Sequence, residues 1–161
     1  MNFEYIGKLV NTHGLKGEVR IISDFKFKDD VFKLGNKIYI NNDIYTIKSY
    51  RKHKLYDMIV FDEITDIEEA LNIKGNNVYI NKEDYKFNGY LDSDLINLDV
   101  YDDEIYKGKI VDIYKTSSND LLVIEGIKRH MVPNTDIFVK KVDLNAKKIY
   151  INYIKGLDNE D

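Results

Sequence analysis

Short apolar runs rich in Ile, Val and Tyr, broken by glycine, asparagine and aspartate, recur along this chain. Such runs favour half-buried β-strands over helices. Tyr5–Asn11 and Glu18–Ser23 flank a glycine-bearing connection, His13-Gly14-Leu15-Lys16-Gly17, and predict a hairpin. Lys37–Ile40 and Ile44–Tyr50 flank Asn41-Asn42-Asp43 and predict a second, and Leu55–Phe61 reads as a further strand. Helical spacing is confined to Thr65–Gly75, where Ile67, Ala70 and Leu71 share one face. Thr65 and Glu68 are spaced as a capping box, and Gly75 suits a left-handed cap. Val78–Ile80 returns to strand.

The polar stretch Asn81–Asn88, followed by Gly89, reads as a domain linker. Beyond it, Leu95–Tyr101, Lys109–Tyr114, Leu121–Glu125, Lys128–Val132 and Lys148–Ile154 read as strands separated by turn-forming residues. The expected fold is therefore all-β: two small β-barrels joined by a linker, residues 1–84 and 89–161, with one short helix in the first. Closing each sheet would remove the edge strands that invite aggregation.

Composition narrows the possible chemistry. The 161 residues are 43% hydrophobic and 32% charged, as in a folded soluble protein. Cysteine is absent, which rules out disulfides and thiolate chemistry. No run approaches the length of a membrane span, and the N-terminal residues lack the features of a signal peptide, so a cytoplasmic protein without a membrane partner is expected. Lys and Arg number 24 against 28 Asp and Glu, a net charge of −4. Such a chain gains little from counterion release on nucleic acid and suits a basic protein partner better, although a local basic patch would still reach phosphate.

The strongest local pattern runs from Ile6 to Ile21 and contains His13-Gly14-Leu15-Lys16-Gly17-Glu18-Val19-Arg20. Physics alone favours a hairpin whose charged residues are solvated. Gly14 and Gly17 are too close together for a phosphate loop, and Glu18 follows where Lys-Ser or Lys-Thr would be required. His13, His53 and His130 lack metal-site spacing, no nucleophile elbow occurs, and the acidic runs sit beside turn residues as solvated faces do. The expectation is a protein with no catalytic residue, metal or cofactor. Arg51-Lys52-His53-Lys54, flanked by Tyr50 and Tyr56, is the most basic run. Arg51, Lys52 and Lys54 are candidate RNA contacts, set against the plainer reading of a soluble hairpin tip.

The His-Gly-x-x-Gly-Glu-Val-Arg segment resembles the opening signature of the RimM family. The helix ending at Gly75 is similar to that family's pattern. So is the C-terminal series Met131-Val132-Pro133, Phe138–Leu144, Lys148-Ile149 and Gly156-Leu157, which resembles a PRC-type barrel and contains the chain's one proline. Tyr90-Leu91-Asp92-Ser93-Asp94-Leu95-Ile96 resembles the family's interdomain aromatic element, with Leu91 and Asp92 departing from it and Asn97 standing where Gly is common. The resemblance implies a translation-factor-like N-terminal barrel and a PRC-barrel C-terminal domain. It also implies a monomeric, non-catalytic ribosome maturation factor. Such a factor binds small-subunit ribosomal protein nineteen on pre-small-subunit particles and assists head assembly and 16S rRNA processing. Tyr90, Leu91, Asp94, His13, Lys16 and Arg20 become candidate partner-binding residues. A generic β-barrel adaptor and a direct RNA binder are the alternatives.

Overall fold

The computed structural model describes residues 1–152, in two compact units that divide between Asn88 and Gly89. The expected strand end at Ile154 and the Gly156-Leu157 pair lie outside the described residues.

Six strands build the first unit: β1 (Phe3–His13), β2 (Glu18–Ile22), β3 (Lys37–Ile40), β4 (Asp43–His53), β5 (Tyr56–Phe61) and β6 (Asn77–Asn81). They close in the order β1-β2-β5-β4-β3-β6. Closure depends on the two longest strands, each of which serves two neighbours. β1 pairs with β6 along Phe3–Lys8 and with β2 along Lys8–His13, with register shifts between Tyr5 and Gly7 and between Leu9 and Asn11. β4 pairs with β3 before Ile47 and with β5 from Ile47 onward, with a shift between Ile47 and Ser49. Such bulges bend a strand enough to turn the corner of a small barrel. The interior holds Ile6, Leu9, Val19, Ile21, Ile38, Ile40, Ile47, Ile59, Phe61, Val78 and Ile80, alternate positions within β2, β3, β5 and β6, with the β1 bulges setting Ile6 and Leu9 three residues apart.

The short helices depart from expectation in instructive ways. The helix within Thr65–Gly75 is one turn, α2 (Ile67–Leu71), and its cap is Asp66, not Thr65. Asp66 Oδ1 accepts from Glu69 N at 2.9 Å, while Glu69 Oε1 accepts from Thr65 Oγ1 at 2.8 Å. The cap has moved one residue along, since Asp66 is spaced from Glu69 as Thr65 is from Glu68. Glu69 reaches back to Thr65, one residue before the cap, so the reciprocal bond of a box is not made. An unanticipated turn, α1 (Lys28–Val31), precedes it. The stretch Asn81–Asn88, expected to be a linker, is packed: a 3-10 turn at Lys82–Asp84 is followed by Tyr85 and Phe87 against the first core. Phe87 stacks on Tyr85 at 5.2 Å and on Phe27 at 4.8 Å. Burial pushes the Tyr85 phenol up to about 12.

The second unit begins with α3 (Asp92–Leu95), where a strand was expected from Leu95. It continues through β7 (Asp99–Asp102), β8 (Ile105–Lys115), β9 (Asp120–Glu125), β10 (Arg129–Pro133), β11 (Val139–Asp143) and β12 (Lys148–Ile151). β11 was not among the expected strands. The sheet order is β10-β9-β8-β7-β12-β11, antiparallel except for the β12–β7 pair. Val132 of one outer strand and Val139 and Val142 of the other pack with the same core as Leu95, Val100, Ile110 and Ile149, so the sheet curls around one interior. Pro133 ends the outer strand β10, where a missing N–H is tolerated. The all-β class anticipated from the sequence is the class observed. Among the described residues no helix is long and apolar enough to cross a membrane.

Candidate functional site

The His13–Arg20 hairpin is held by what lies beneath its loop. Leu15 O accepts from Ile67 N at 3.1 Å, which anchors the loop to the start of α2. Gly17 has φ +88, and a Cβ there would lie 2.7 Å from Asp66 O and 2.8 Å from Ile64 Cγ2. Only glycine accepts both the left-handed backbone and this approach. Much of the motif is thus explained by packing.

Its polar residues lie on the outer face of the barrel, where strand register brings them together. Arg20 and Arg51 are both paired with Met58, from opposite sides. His13 Nδ1 accepts from Arg20 Nη2 at 2.9 Å, an arrangement available only to a neutral imidazole protonated at Nε2, since guanidinium has no acceptor. The Arg20 guanidinium lies 5.4 Å from the Tyr56 ring centroid. Glu18 receives both Arg51 Nη2 at 2.8 Å and Arg51 Nε at 3.0 Å. This paired guanidinium holds the Glu18 carboxyl below its ordinary range, against the opposing effect of burial.

A second cluster centres on Asp57, a fully buried carboxylate whose importance was not read from the sequence. It accepts from Tyr50 Oη at 2.6 Å and from Lys28 Nζ at 2.9 Å, with Lys52 Nζ at 3.6 Å. Burial, then the hydrogen bond to Asp57, pushes the Tyr50 phenol up. The available signal was a lone carboxylate inside the apolar run Tyr56–Phe61.

Of the candidate RNA contacts, Arg51 and Lys52 are therefore engaged with carboxylates. Lys54, at φ +55 in the β4–β5 turn, is exposed and has no such partner among the described residues. Lys16 is likewise exposed at the tip of the first hairpin.

Tyr90, Leu91 and Asp94 belong to the second unit. Tyr90 is 39% exposed, whereas Leu91 is buried at 4% and has no surface to offer a partner. Asp94 Oδ2 accepts from Leu91 N at 3.0 Å, so the carboxylate serves the first turn of α3. The structure thus brings His13 together with Arg20 and links Arg51 to the same face through Glu18. Of the three candidates in the Tyr90 segment, Tyr90 is the most exposed.

Residues 5–85 match the family model of the RimM N-terminal domain, and residues 92–157 match that of the RimM PRC barrel domain. The chain is 38% identical to the ribosome maturation factor RimM of Ligilactobacillus salivarius over 168 aligned residues, covering 98% of this chain and 100% of that one. It is 37% identical to the ribosome maturation factor RimM of Staphylococcus aureus, covering 94% and 96%. Among solved structures, it is similar to a 16S ribosomal RNA processing protein RimM from Pseudomonas aeruginosa, with 22% identity, TM-score 0.47 and coverage of 95% and 98%. It is also similar to the N-terminal domain of RimM from Thermus thermophilus, with 18% identity, TM-score 0.46 and coverage of 54% and 98%.

Proposed function

This chain belongs to the RimM family of ribosome maturation factors, and on that footing we propose that it binds small-subunit ribosomal protein nineteen on the pre-small-subunit particle, assisting assembly of the head and processing of 16S rRNA. The ordered match of both domains along one chain carries this reading. Residues 1–84 act as the N-terminal barrel domain and 89–161 as the PRC-barrel-like domain of a cytoplasmic monomer that works without catalysis or cofactor. Its mechanism is selection. A surface that binds the native-like head more tightly than misfolded alternatives by roughly 1–3 kcal/mol shifts their ratio about 5–150-fold.

Tyr90 is the docking residue favoured by exposure, with Leu91 and Asp94 shaping the turn that presents it. The His13, Lys16 and Arg20 hairpin offers a second, rigid contact. Lys54 is the most available cation for rRNA, beside Arg51 and Lys52. Retention of protein nineteen from a mixture of purified small-subunit ribosomal proteins tests the reading. Retention that weakens about tenfold or more in Tyr90→Ala supports it, as expected for an aromatic anchor. Failure of the wild-type chain to retain protein nineteen or to co-sediment with immature small subunits would overturn it.

A further inference from the structure

The outer surface of β3, β6 and β1 carries a feature that the proposed function leaves unused. Register sets Tyr39 opposite Tyr79, and Tyr79 opposite Tyr5, so three tyrosines form one row across three strands. Their neighbours Ile38, Ile40, Val78 and Ile80 belong to the core, and strand alternation turns the rings outward. Phe3 meets Tyr39 edge-on at 5.0 Å, and Tyr5 meets Tyr79 edge-on at 5.9 Å. Tyr39 is covered to 8% exposure, whereas Phe3 and Tyr5 each remain 49% exposed.

Beside this row lie amides. Phe3, Tyr39, Tyr79, Asn41, Asn42, Asn76 and Asn77 line a cavity of about 420 Å³. Asn41 and Asn42 turn the β3–β4 hairpin at φ 53 and 66, which accounts for the choice of asparagine there. It does not account for their side chains, which, like that of Asn77, make no hydrogen bond among the described residues. Asn76 differs: its Nδ2 donates to Ile73 O at 3.0 Å. Lys8 is paired with Asn77 across the β1–β6 ladder, is exposed, and forms no ion pair among the described residues.

We propose that this cavity binds an unpaired nucleobase of a single-stranded RNA. Aromatic rings offer bases a stacking surface whatever their identity. A primary amide carries a donor and an acceptor side by side, matching the edge of a base. Lys8, one strand away, supplies charge for the adjoining phosphate. The volume is that of a small-ligand site, whereas a folded protein partner buries about 800 Å² on each side. The residues of this site include neither Tyr90 nor any of the His13–Arg20 hairpin, so it stands or falls independently of docking to protein nineteen.

The test is an NMR titration of the full chain with hexa-adenylate, with adenosine monophosphate, and with an abasic hexamer of equal phosphate count. Hexa-adenylate is expected to give saturable shifts at the Tyr39 and Tyr79 rings and the Asn77 side-chain amide. The monophosphate should move the same resonances more weakly, and the abasic hexamer should leave them unmoved. Tyr79→Leu and Asn77→Ala should each weaken hexa-adenylate about tenfold. If Tyr79→Leu does not fold, the exposed cavity residue Phe3 takes its place as Phe3→Leu. Equal binding of the abasic hexamer, absence of saturation, or unchanged affinity in these variants would overturn the proposal. Monophosphate binding as tight as hexa-adenylate would overturn the strand and leave a free nucleotide. Loss of protein nineteen from Asn77→Ala, with hexa-adenylate affinity intact, would assign the cavity to protein and likewise overturn it.

Discussion

Strands β2, β5 and β4 and the segment around Tyr90 both set aromatic rings beside charged groups, yet they differ in what they leave on the surface. On the barrel's outer face Arg51 is paired with Glu18 and Arg20 donates to the neutral His13, while Lys28 and Lys52 meet Asp57, which by alternation shares the inward side of β5 with Ile59 and Phe61. Around Tyr90 one carboxylate, Asp92, is paired with Lys115, that of Asp94 accepts from backbone, Leu91 is buried, and Tyr90 keeps 39% of its surface exposed. The first arrangement makes a rigid surface with few free cations; the second leaves an aromatic side chain partly exposed beside a capped turn. A motif dense in charge is therefore poor ground for naming contact residues, because buried or paired charges mostly stabilise local geometry.

The contrast between these regions is tested most severely at Asp57. Asp57→Ala would strand Tyr50 and Lys28, and it is expected to cost about 3 kcal/mol in urea unfolding. Asp57→Asn, which still accepts from Tyr50, should cost less. A negligible loss in both would mean the cluster does not hold the barrel. The next effect is at the loop. Gly17→Ala should lose about 2 kcal/mol, from backbone strain and contact with Asp66 O and Ile64. Gly14→Ala, at φ +77 with open space around its Cβ, should lose only about 1 kcal/mol. Equal losses would show that the loop is not pinned on α2.

Smaller still is the Glu18–Arg51 pair. The folded-state carboxyl is depressed below its ordinary 4.5, so its contribution is present above that pH and is lost as pH falls through the lower folded value. Glu18→Gln should remove that acid-side loss, at a cost of under about 1 kcal/mol near neutrality that salt reduces further. A pH profile unchanged by Glu18→Gln would show that the pair adds nothing. The smallest effect on stability belongs to Tyr90→Ala, expected within about 0.5 kcal/mol by thermal unfolding because the ring is exposed. A larger loss would make Tyr90 a packing residue and erase the contrast.

Much of the fold was legible because its signals are local. The β1–β2 and β3–β4 hairpins, and most strand positions, follow from short apolar runs and from turn residues with one dominant use. The misses share a cause. Asp66 replaced Thr65 as the cap because two overlapping cap spacings had equal local claims, and the loop contacts at Leu15 and Gly17 accompany the choice. Asn81–Asn88 read as a linker because Tyr85 and Phe87 are sparse among polar neighbours, and their partners Phe25 and Phe27 are distant in sequence. β11 is outlined in Val139–Asp143 by little beyond its pairing with β12.

Chain order alone determined the all-β class, the hairpins and the apolar runs that supply each core, since strand preference and turn chemistry act within a few residues. Tertiary structure decided which charges meet. Arg51 and Glu18 lie 33 residues apart and Lys28 and Asp57 lie 29 apart, and no local rule relates them. The row of Tyr5, Tyr79 and Tyr39 arose the same way: three isolated tyrosines became one surface only when barrel closure fixed the register of β3, β6 and β1.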